Sequence, residues 1–397
     1  MTRKYRYLLL FLLLLPQSLI SQEAPGAEIY LLTCGPGTET YSVYGHSALR
    51  IVIPEKNSDL VYNWGVFDFG TPNFAWKFAK GRLNYSLGVN SYKSFLREYF
   101  MDQRWVVSQK FNLETADIEK LFILLGENLK PENITYRYDF FYDDCSTRIR
   151  DLIEKTLGDD LLYPPEKTAK ELTTFRALTG EYEKVHPWTR LGIDLLMGSP
   201  GDKKASFRDR MFLPVDLKNG LSELLIRRNG KLIPLLKNPE IVVDFDQPKS
   251  QEKLLTSPIF MFTLLLIIVI ILTGMMRGEK ANNIIDIFLF SIFSVLSIMM
   301  IFFNFFTDHQ QMKWNLNIIW LNPFILVCLA SLLLKKNWKI WFRIVSYLAA
   351  AFLIFMIILP QHINNAFIPL IIILILRSSV RADFEWNPLT LPYLTQL

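Results

Sequence analysis

Asp143-Asp144-Cys145-Ser146-Thr147-Arg148-Ile149-Arg150-Asp151 reads as a cysteine at the mouth of a helix. About a hundred residues earlier, Tyr44-Gly45-His46-Ser47-Ala48-Leu49-Arg50-Ile51-Val52 reads as a histidine opening a strand. The chain has only three cysteines and four histidines, so chance has few opportunities to build a thiol–imidazole pair. A thiolate beside an imidazole is a nucleophile and its base. In the first turn of a helix the unpaired N–H groups and the helix dipole favour negative charge. The position therefore predicts a lowered thiol pKa.

Outward from these two segments, the pattern is that of a small α+β domain. Glu28 to Leu32 is strand-like, Gly35-Pro36-Gly37 is a turn signal, and His46 to Ile53 and Leu60 to Val66 alternate as strands. Phe67 to Phe74 is a loop of Gly, Pro and aromatics, followed by a short helix over 74–80 and a strand over 83–89. Tyr92 to Phe100 suits a helix and Arg104 to Leu113 a strand. Thr115 to Leu129 is the clearest amphipathic helix, with Thr115 as N-cap and Ile118, Leu121, Phe122 and Leu125 on one face. Tyr136 to Phe141 reads as extended. Asp143 or Asp144 then caps a helix that runs to Leu157 and ends at Gly158. Residues 160–215 look less regular, and residues 216–257 are polar with short apolar runs.

Hydrophobic residues make up 51% of the 397, and the average hides a split. Charges are spread through the first 250 residues, whereas five apolar stretches follow at about 258–276, 284–306, 316–334, 340–359 and 364–376. Arg277, Lys280, Lys335, Lys336, Lys339, Arg377 and Arg381 lie in alternate loops, while the intervening loops, 307–315 and 360–363, carry one lysine. The positive-inside rule then puts residues 23–257 outside the cytoplasmic membrane and the C-terminus inside. Independently, Arg3, Lys4 and Arg6 before the short apolar core Tyr7–Leu15 read as an export signal or signal anchor. The expected organisation is a signal segment over 1–22, a periplasmic Cys/His domain over 23–257, a bundle of five transmembrane helices over 258–376 and a cytosolic tail over 377–397. Asp286 and Arg343, near the cytosolic ends of their spans, are expected to snorkel. The net charge of +5 sits partly in cytosol-facing loops, so nucleic-acid binding is not implied. No metal spacing or phosphate loop is present, and no cofactor is expected.

Within the exported part Cys145 is the expected nucleophile, His46 the base, and a residue of the neighbouring strand the group that holds the imidazole. Asn63 is the first choice for that third role and Asp68 the second. The Cys145 N–H is the expected oxyanion donor. Asp144 would raise the thiol pKa unless it turns away to cap the helix. Cys34, beside a Gly-Pro turn, is a rival nucleophile without a helix mouth, and an oxidising compartment would allow a Cys34–Cys145 disulfide. Thr307-Asp308-His309, with Asn315, Asn317 and Asn322, forms a polar membrane edge facing the Cys/His domain. His309 and Asn317 there are candidates for contact with a headgroup or lipidated substrate, and interfacial anchoring by Lys313, Trp314 and Trp320 is the alternative.

A strand histidine that precedes a helix cysteine resembles the circularly permuted branch of the NlpC-type papain-like fold, to which lecithin:retinol acyltransferases belong. The motifs Tyr44–Arg50, Tyr62-Asn63-Trp64-Gly65, Phe67–Phe74, Asp144–Arg148 and Gly192-Ile193-Asp194-Leu195 resemble more closely the Bacteroidetes lipoprotein N-acyltransferase family, called Lnb. Asp144 stands where that pattern suggests Asn. The resemblance implies a permuted papain-like exported domain followed by an all-α five-helix membrane bundle. It also implies a phospholipid acyl donor, a Cys145 thioester and a diacylglyceryl-cysteine lipoprotein as acceptor. The same dyad would serve a membrane-anchored cysteine peptidase or amidase of NlpC type. A non-catalytic scaffold would function without Cys145.

Overall fold

The computed structural model describes residues 26–168, 170–246, 254–275 and 278–383. The signal segment and the end of the cytosolic tail lie outside the described residues. Seven strands form one antiparallel sheet: β1 (Glu28–Cys34), β2 (His46–Ile53), β3 (Ser58–Val66), β4 (Asn84–Ser91), β5 (Val106–Lys110), β6 (Thr135–Arg137) and β10 (Glu240–Val243). Their spatial order is β10-β5-β1-β2-β3-β4-β6. The remaining strands, β7 (Leu161–Leu162), β8 (Leu225–Arg228) and β9 (Lys231–Pro234), make a small second sheet.

Strand alternation divides the core. Ile29, Leu31, Leu49, Ile51 and Trp64 pack against Ile118, Leu121 and Leu125 of the Thr115–Asn128 helix and Ile149 and Ile153 of the Cys145–Leu157 helix. On the opposite face Leu32, Cys34, Ala48 and Val61 pack against Phe95 and Tyr99 of the Tyr92–Met101 helix. Along β2, Ser47, Leu49 and Ile51 thus face the Cys145 helix, while Ala48 and Arg50 face the other way, with the Arg50 guanidinium 3.5 Å from the Tyr92 ring centre.

Most helices and strands of the first 160 residues lie where the sequence pattern puts them. One cap differs: Glu114 is the N-cap of the Thr115–Asn128 helix and shares a capping box with Asp117. Residues 160–215 are more regular than expected, with helices Phe175–Glu183, Pro187–Leu196 and Phe207–Arg210. A further helix, Pro214–Glu223, closes the first core, and β10 adds an edge to the main sheet from the region read as polar connection.

The C-terminal part is helical: Pro258–Met275, Glu279–Phe305, Phe324–Leu333, Lys339–Phe355 and Phe367–Arg381. Among the described residues three segments, Pro258–Met275, Glu279–Phe305 and Leu316–Leu333, are long and apolar enough to cross a membrane. The third is not one continuous helix: a 3-10 turn at Leu316–Ile319 precedes Pro323, and the α-helix starts at Phe324. Asp286 does not snorkel. It is fully buried, and its carboxylate accepts from Arg377 Nε at 2.6 Å and from Arg381 Nε. Arg377 is also buried and reaches Thr273 Oγ1 at 2.7 Å and Asn282 Oδ1 at 2.9 Å. Arg377 and Arg381, expected beyond the last span, belong to the Phe367–Arg381 helix and supply the counter-charge without which a buried carboxylate would be costly. Arg343 remains exposed.

The two parts meet through hydrogen bonds. Asp194 accepts from Asn364 Nδ2 at 2.8 Å and from Arg176 Nη1 at 3.2 Å, and Asn315 Nδ2 donates to the carbonyls of Leu195 (2.8 Å) and Leu196 (3.0 Å). Gly198 N–H donates to Gln311 O at 2.8 Å, and a Cβ at Gly198 would collide with the Lys313 carbonyl. Gly198→Ala is accordingly expected to destabilise this junction by about 1–3 kcal/mol. Limited proteolysis between residues 198 and 257 should accelerate in the variant, and unchanged cleavage would contradict the packing account.

Candidate active site

The site forms where β2 and β3 part. Their pairing begins only at Leu49↔Tyr62, so the first residues of β2 have an open edge. β3 carries a bulge between Trp64 and Val66 in its pairing with β4, and Gly65 there has φ +93°. The mouth of the Cys145–Leu157 helix enters this gap. A Cβ on Gly65 would lie at ordinary contact distance from Cys145 Cβ (4.0 Å) and the Tyr138 ring (3.8 Å), so it is the left-handed backbone, not a lack of space, that favours glycine here. Before β2, Gly45 has φ +84°, and its missing Cβ avoids the Cys34 carbonyl at 2.6 Å. This turn delivers His46 to the strand opposite Cys34.

Asp144 turns away from the thiol to cap the helix. Its Oδ1 accepts from the N–H groups of Ser146 (3.0 Å) and Thr147 (2.7 Å), and Thr147 Oγ1 accepts from the Asp144 N–H at 2.7 Å. Burial first, and the neighbouring thiol second, push the Asp144 carboxyl well above the usual carboxylate range. Arg148 pairs with Asp143 and lies 3.7 Å from the Tyr136 ring centre, fastening the helix mouth to β6.

Cys145 is buried, 6% exposed, and none of Cys145, Cys34 and Cys328 is in a disulfide. The N–H groups of Ser47, Ser146 and Cys145 itself are directed at Sγ and favour the thiolate, but burial outweighs them and raises the thiol pKa. The expected lowering is therefore reversed: the helix mouth supplies donors, and the apolar surroundings withhold solvent. Cys34, the rival nucleophile, is fully buried on the far face with Tyr99, and burial pushes its thiol up to about 12.

The structure brings His46 and Asn63 together: His46 Nε2 lies 2.5 Å from Asn63 Oδ1. With the amide oxygen accepting, Nε2 carries the proton, and the Nδ1 lone pair is the basic one. Desolvation lowers the His46 pKa, the Asn63 bond opposes this, and Arg104 adds to the lowering. Sγ and the imidazole are not hydrogen-bonded to each other. Sγ lies near Ser146 Oγ at 3.9 Å and against the Ser47 backbone, one residue past the histidine. By strand alternation His46 lies on the Ala48 and Arg50 side of β2, whereas Ser47 faces the Cys145 helix, so a proton transfer between Sγ and the ring requires the two side chains to meet around the open end of the sheet. Asp68 lies outside this group, in the exposed loop, where it accepts from Gly70 N–H at 2.8 Å.

The membrane-edge candidates serve the junction. His309 Nε2 donates to Phe78 O at 3.0 Å. Asn317 is fully buried: its Nδ2 donates to Leu195 O at 3.2 Å, and its Oδ1 accepts from Trp320 Nε1 at 3.0 Å. Sequence reasoning missed Arg104 and Glu183. The Arg104 side chain is buried, with Nε donating to Gly35 O at 2.8 Å. Glu183 accepts from Tyr44 Oη at 2.6 Å, and burial raises its carboxyl to about 7. A lone acidic residue in a region without clear periodicity gives no local signal of such a partner.

Residues 21–180 match the Lnb N-terminal periplasmic domain, and residues 249–384 match the Lnb transmembrane domain. The chain belongs to the Lnb family. No curated protein and no solved structure matches it. Membership in Lnb suggests lipoprotein N-acyltransfer in general terms and a membrane protein with a periplasmic N-terminal domain. Cys145, His46 and Asn63 all fall inside the segment matched to the periplasmic domain of Lnb.

Two outcomes are expected at this site. Asn63→Ala frees the imidazole and leaves Nε2–H unpaired, which should slow the acyl transfer that Lnb membership suggests by ~10–100-fold with little change in folding; a variant as fast as the wild type would remove Asn63 from the site. The pH dependence has a defined sign. Only a neutral imidazole can accept a proton, so an activity that uses His46 as base should be full at neutral pH and fall as acid protonates the ring. Because the His46 pKa is lowered, the midpoint should lie below the ordinary imidazole value of about 6.5. A midpoint above that value in stopped-flow or quench measurements would contradict the desolvated base.

Proposed function

We propose that this protein is a lipoprotein N-acyltransferase of the bacterial inner membrane, working through a Cys145 thioester. Its catalytic domain, residues 23–257, is read as periplasmic and as a permuted papain-like fold. The C-terminal part is read as crossing the membrane five times, with the Lys339–Phe355 and Phe367–Arg381 helices as the shorter spans. The observation that carries the reading is that Cys145 Sγ, at a capped helix mouth, lies against the Ser47 backbone, one residue past the His46 of the His46–Asn63 pair, in a domain hydrogen-bonded to apolar helices.

In the first half-reaction Cys145 Sγ attacks the ester carbonyl of a phospholipid. His46 Nδ1 takes the thiol proton, the S–C bond forms, the ester C–O bond breaks, and the proton passes to the departing alkoxide of the lysophospholipid. The raised thiol pKa suits this coupled transfer, since the sulfur is protonated until its base and substrate are both present. The Ser47, Ser146 and Cys145 N–H groups around Sγ are candidate donors to the oxyanion. In the second half-reaction the α-amino group of a diacylglyceryl-cysteine lipoprotein attacks the thioester. The C–N bond forms, the C–S bond breaks, and His46 carries the amine proton to the sulfur. An amine attacks a thioester readily, and no cofactor or metal enters either step.

The test is a transfer assay with detergent-purified protein, phospholipid and a synthetic diacylglyceryl-cysteine peptide. The peptide should gain one fatty acyl group as an amide on its α-nitrogen. Free fatty acid without a peptide adduct would replace the transferase reading with a cysteine hydrolase.

A further inference from the structure

A file of aromatic rings runs from the Cys145 gap to the membrane helices. Its first member, Tyr138, lies beside Gly65 and Cys145. Ring centres then follow from Tyr138 to Tyr85 at 4.6 Å, from Tyr85 to Phe67 at 5.3 Å, and from Phe67 to Phe69 at 4.9 Å. Phe69 and Phe74 are 5.0 Å apart, and Phe74 stacks on Phe78 at 6.2 Å. The short Phe74–Ala79 helix then touches the bilayer part, with Trp76 5.6 Å from Phe302 of the Glu279–Phe305 helix. A soluble domain has no reason to present these rings to water, yet Phe69 is 68%, Trp76 57% and Phe78 51% exposed. Lys77 and Lys80 lie on the same short helix, with Lys80 Nζ 5.1 Å from the Trp76 ring centre, so positive charge borders the membrane end.

We propose that this file is the track along which one acyl chain of a bilayer phospholipid lies, its tail toward Phe302 and its ester at Cys145. The assignment rests on the acyl-transfer reading for the role of Cys145 and adds the route to it. Three features fit this occupant: the rings are apolar and contiguous, one end lies beside the thiol, and the other end touches a helix long and apolar enough to cross a membrane.

The experiment holds the full chain in lipid nanodiscs containing a phosphatidylethanolamine with a diazirine along one acyl chain. After irradiation the labelled peptides are mapped. Label is expected on the segments containing Tyr85 and Tyr138 as well as on the Phe302 helix. Phe69→Ser and Phe74→Ser should each lower the Tyr85 and Tyr138 label by about tenfold, the loss matching roughly one aromatic contact, and leave the Phe302 label unchanged. Phe69 is exposed, so its variant is expected to melt as the wild type does. Label confined to the spanning helices, or undiminished in both variants, would overturn the track. Cys145→Ala should label like the wild type. A chain that labels at Tyr85 and Tyr138 but never forms a thioester would therefore refute the chemistry and leave the track standing.

Discussion

Cys145→Ser is expected to abolish acyl transfer, with a loss of at least about 10⁴-fold, while the protein still folds and inserts. The magnitude follows from the chemistry: the nucleophile and its base act as a unit, and removing one member forfeits nearly everything the unit supplies. Serine keeps the volume and the Asp144 cap, because that cap uses the Ser146 and Thr147 N–H groups and not the cysteine side chain. The hydroxyl has a far higher pKa than the thiol and is the weaker nucleophile in this setting. The measurement is the rate of peptide acylation alongside circular dichroism and melting. A variant with wild-type structure and more than about a tenth of the activity would show that another group carries the acyl chain. Cys34 could then be tested by the same substitution.

The second large effect concerns stability. Asp286→Leu is expected to cost about 3–5 kcal/mol, because it leaves Arg377, 1% exposed, and Arg381 facing apolar surroundings without a counter-charge. Thr273 and Asn282 still accept hydrogen bonds from Arg377, but they supply no net charge. The effect should read as a large fall in melting temperature in mild detergent. Removing the cations too, in Asp286→Leu with Arg377→Leu and Arg381→Leu, should recover much of the loss, since a well-packed apolar replacement of a buried ion pair is often neutral. A single Asp286→Leu variant that melts within about a degree of the wild type would mean that water reaches this cluster.

What the sequence revealed follows from the range of the forces involved. The Cys145 helix was legible because its cap, its first turn and its apolar positions all lie within thirteen residues. Asn63 was within reach of reasoning because adjacent strands of an antiparallel sheet bring their residues together. The sign of the thiol pKa was not legible: the helix mouth is a local feature, whereas the desolvation that outweighs it comes from burial in a core shared with residues as distant as Leu49 and Trp64. The same holds for Asp286, whose partners lie more than ninety positions away. The Phe175–Glu183 helix escaped notice because it buries Arg176, Thr179 and Glu183 among its apolar residues, which blurs the stripe that marks an amphipathic helix. Those polar groups are buried because Asp194, Asp202 and Tyr44 partner them, and such pairing has no signature in a linear pattern. The pairing of β10 with β5 joins Glu240 to Ser108, a contact of long sequence separation that no turn signal announces.

Intact-mass spectrometry of the detergent-purified full chain after incubation with phospholipid tests the central claim most directly. The account predicts a mass increase of one fatty acyl group, mapped to Cys145, removed by hydroxylamine and absent in Cys145→Ala. A protein that gains no acyl group, while its Cys145 thiol still reacts with iodoacetamide, would contradict the thioester mechanism.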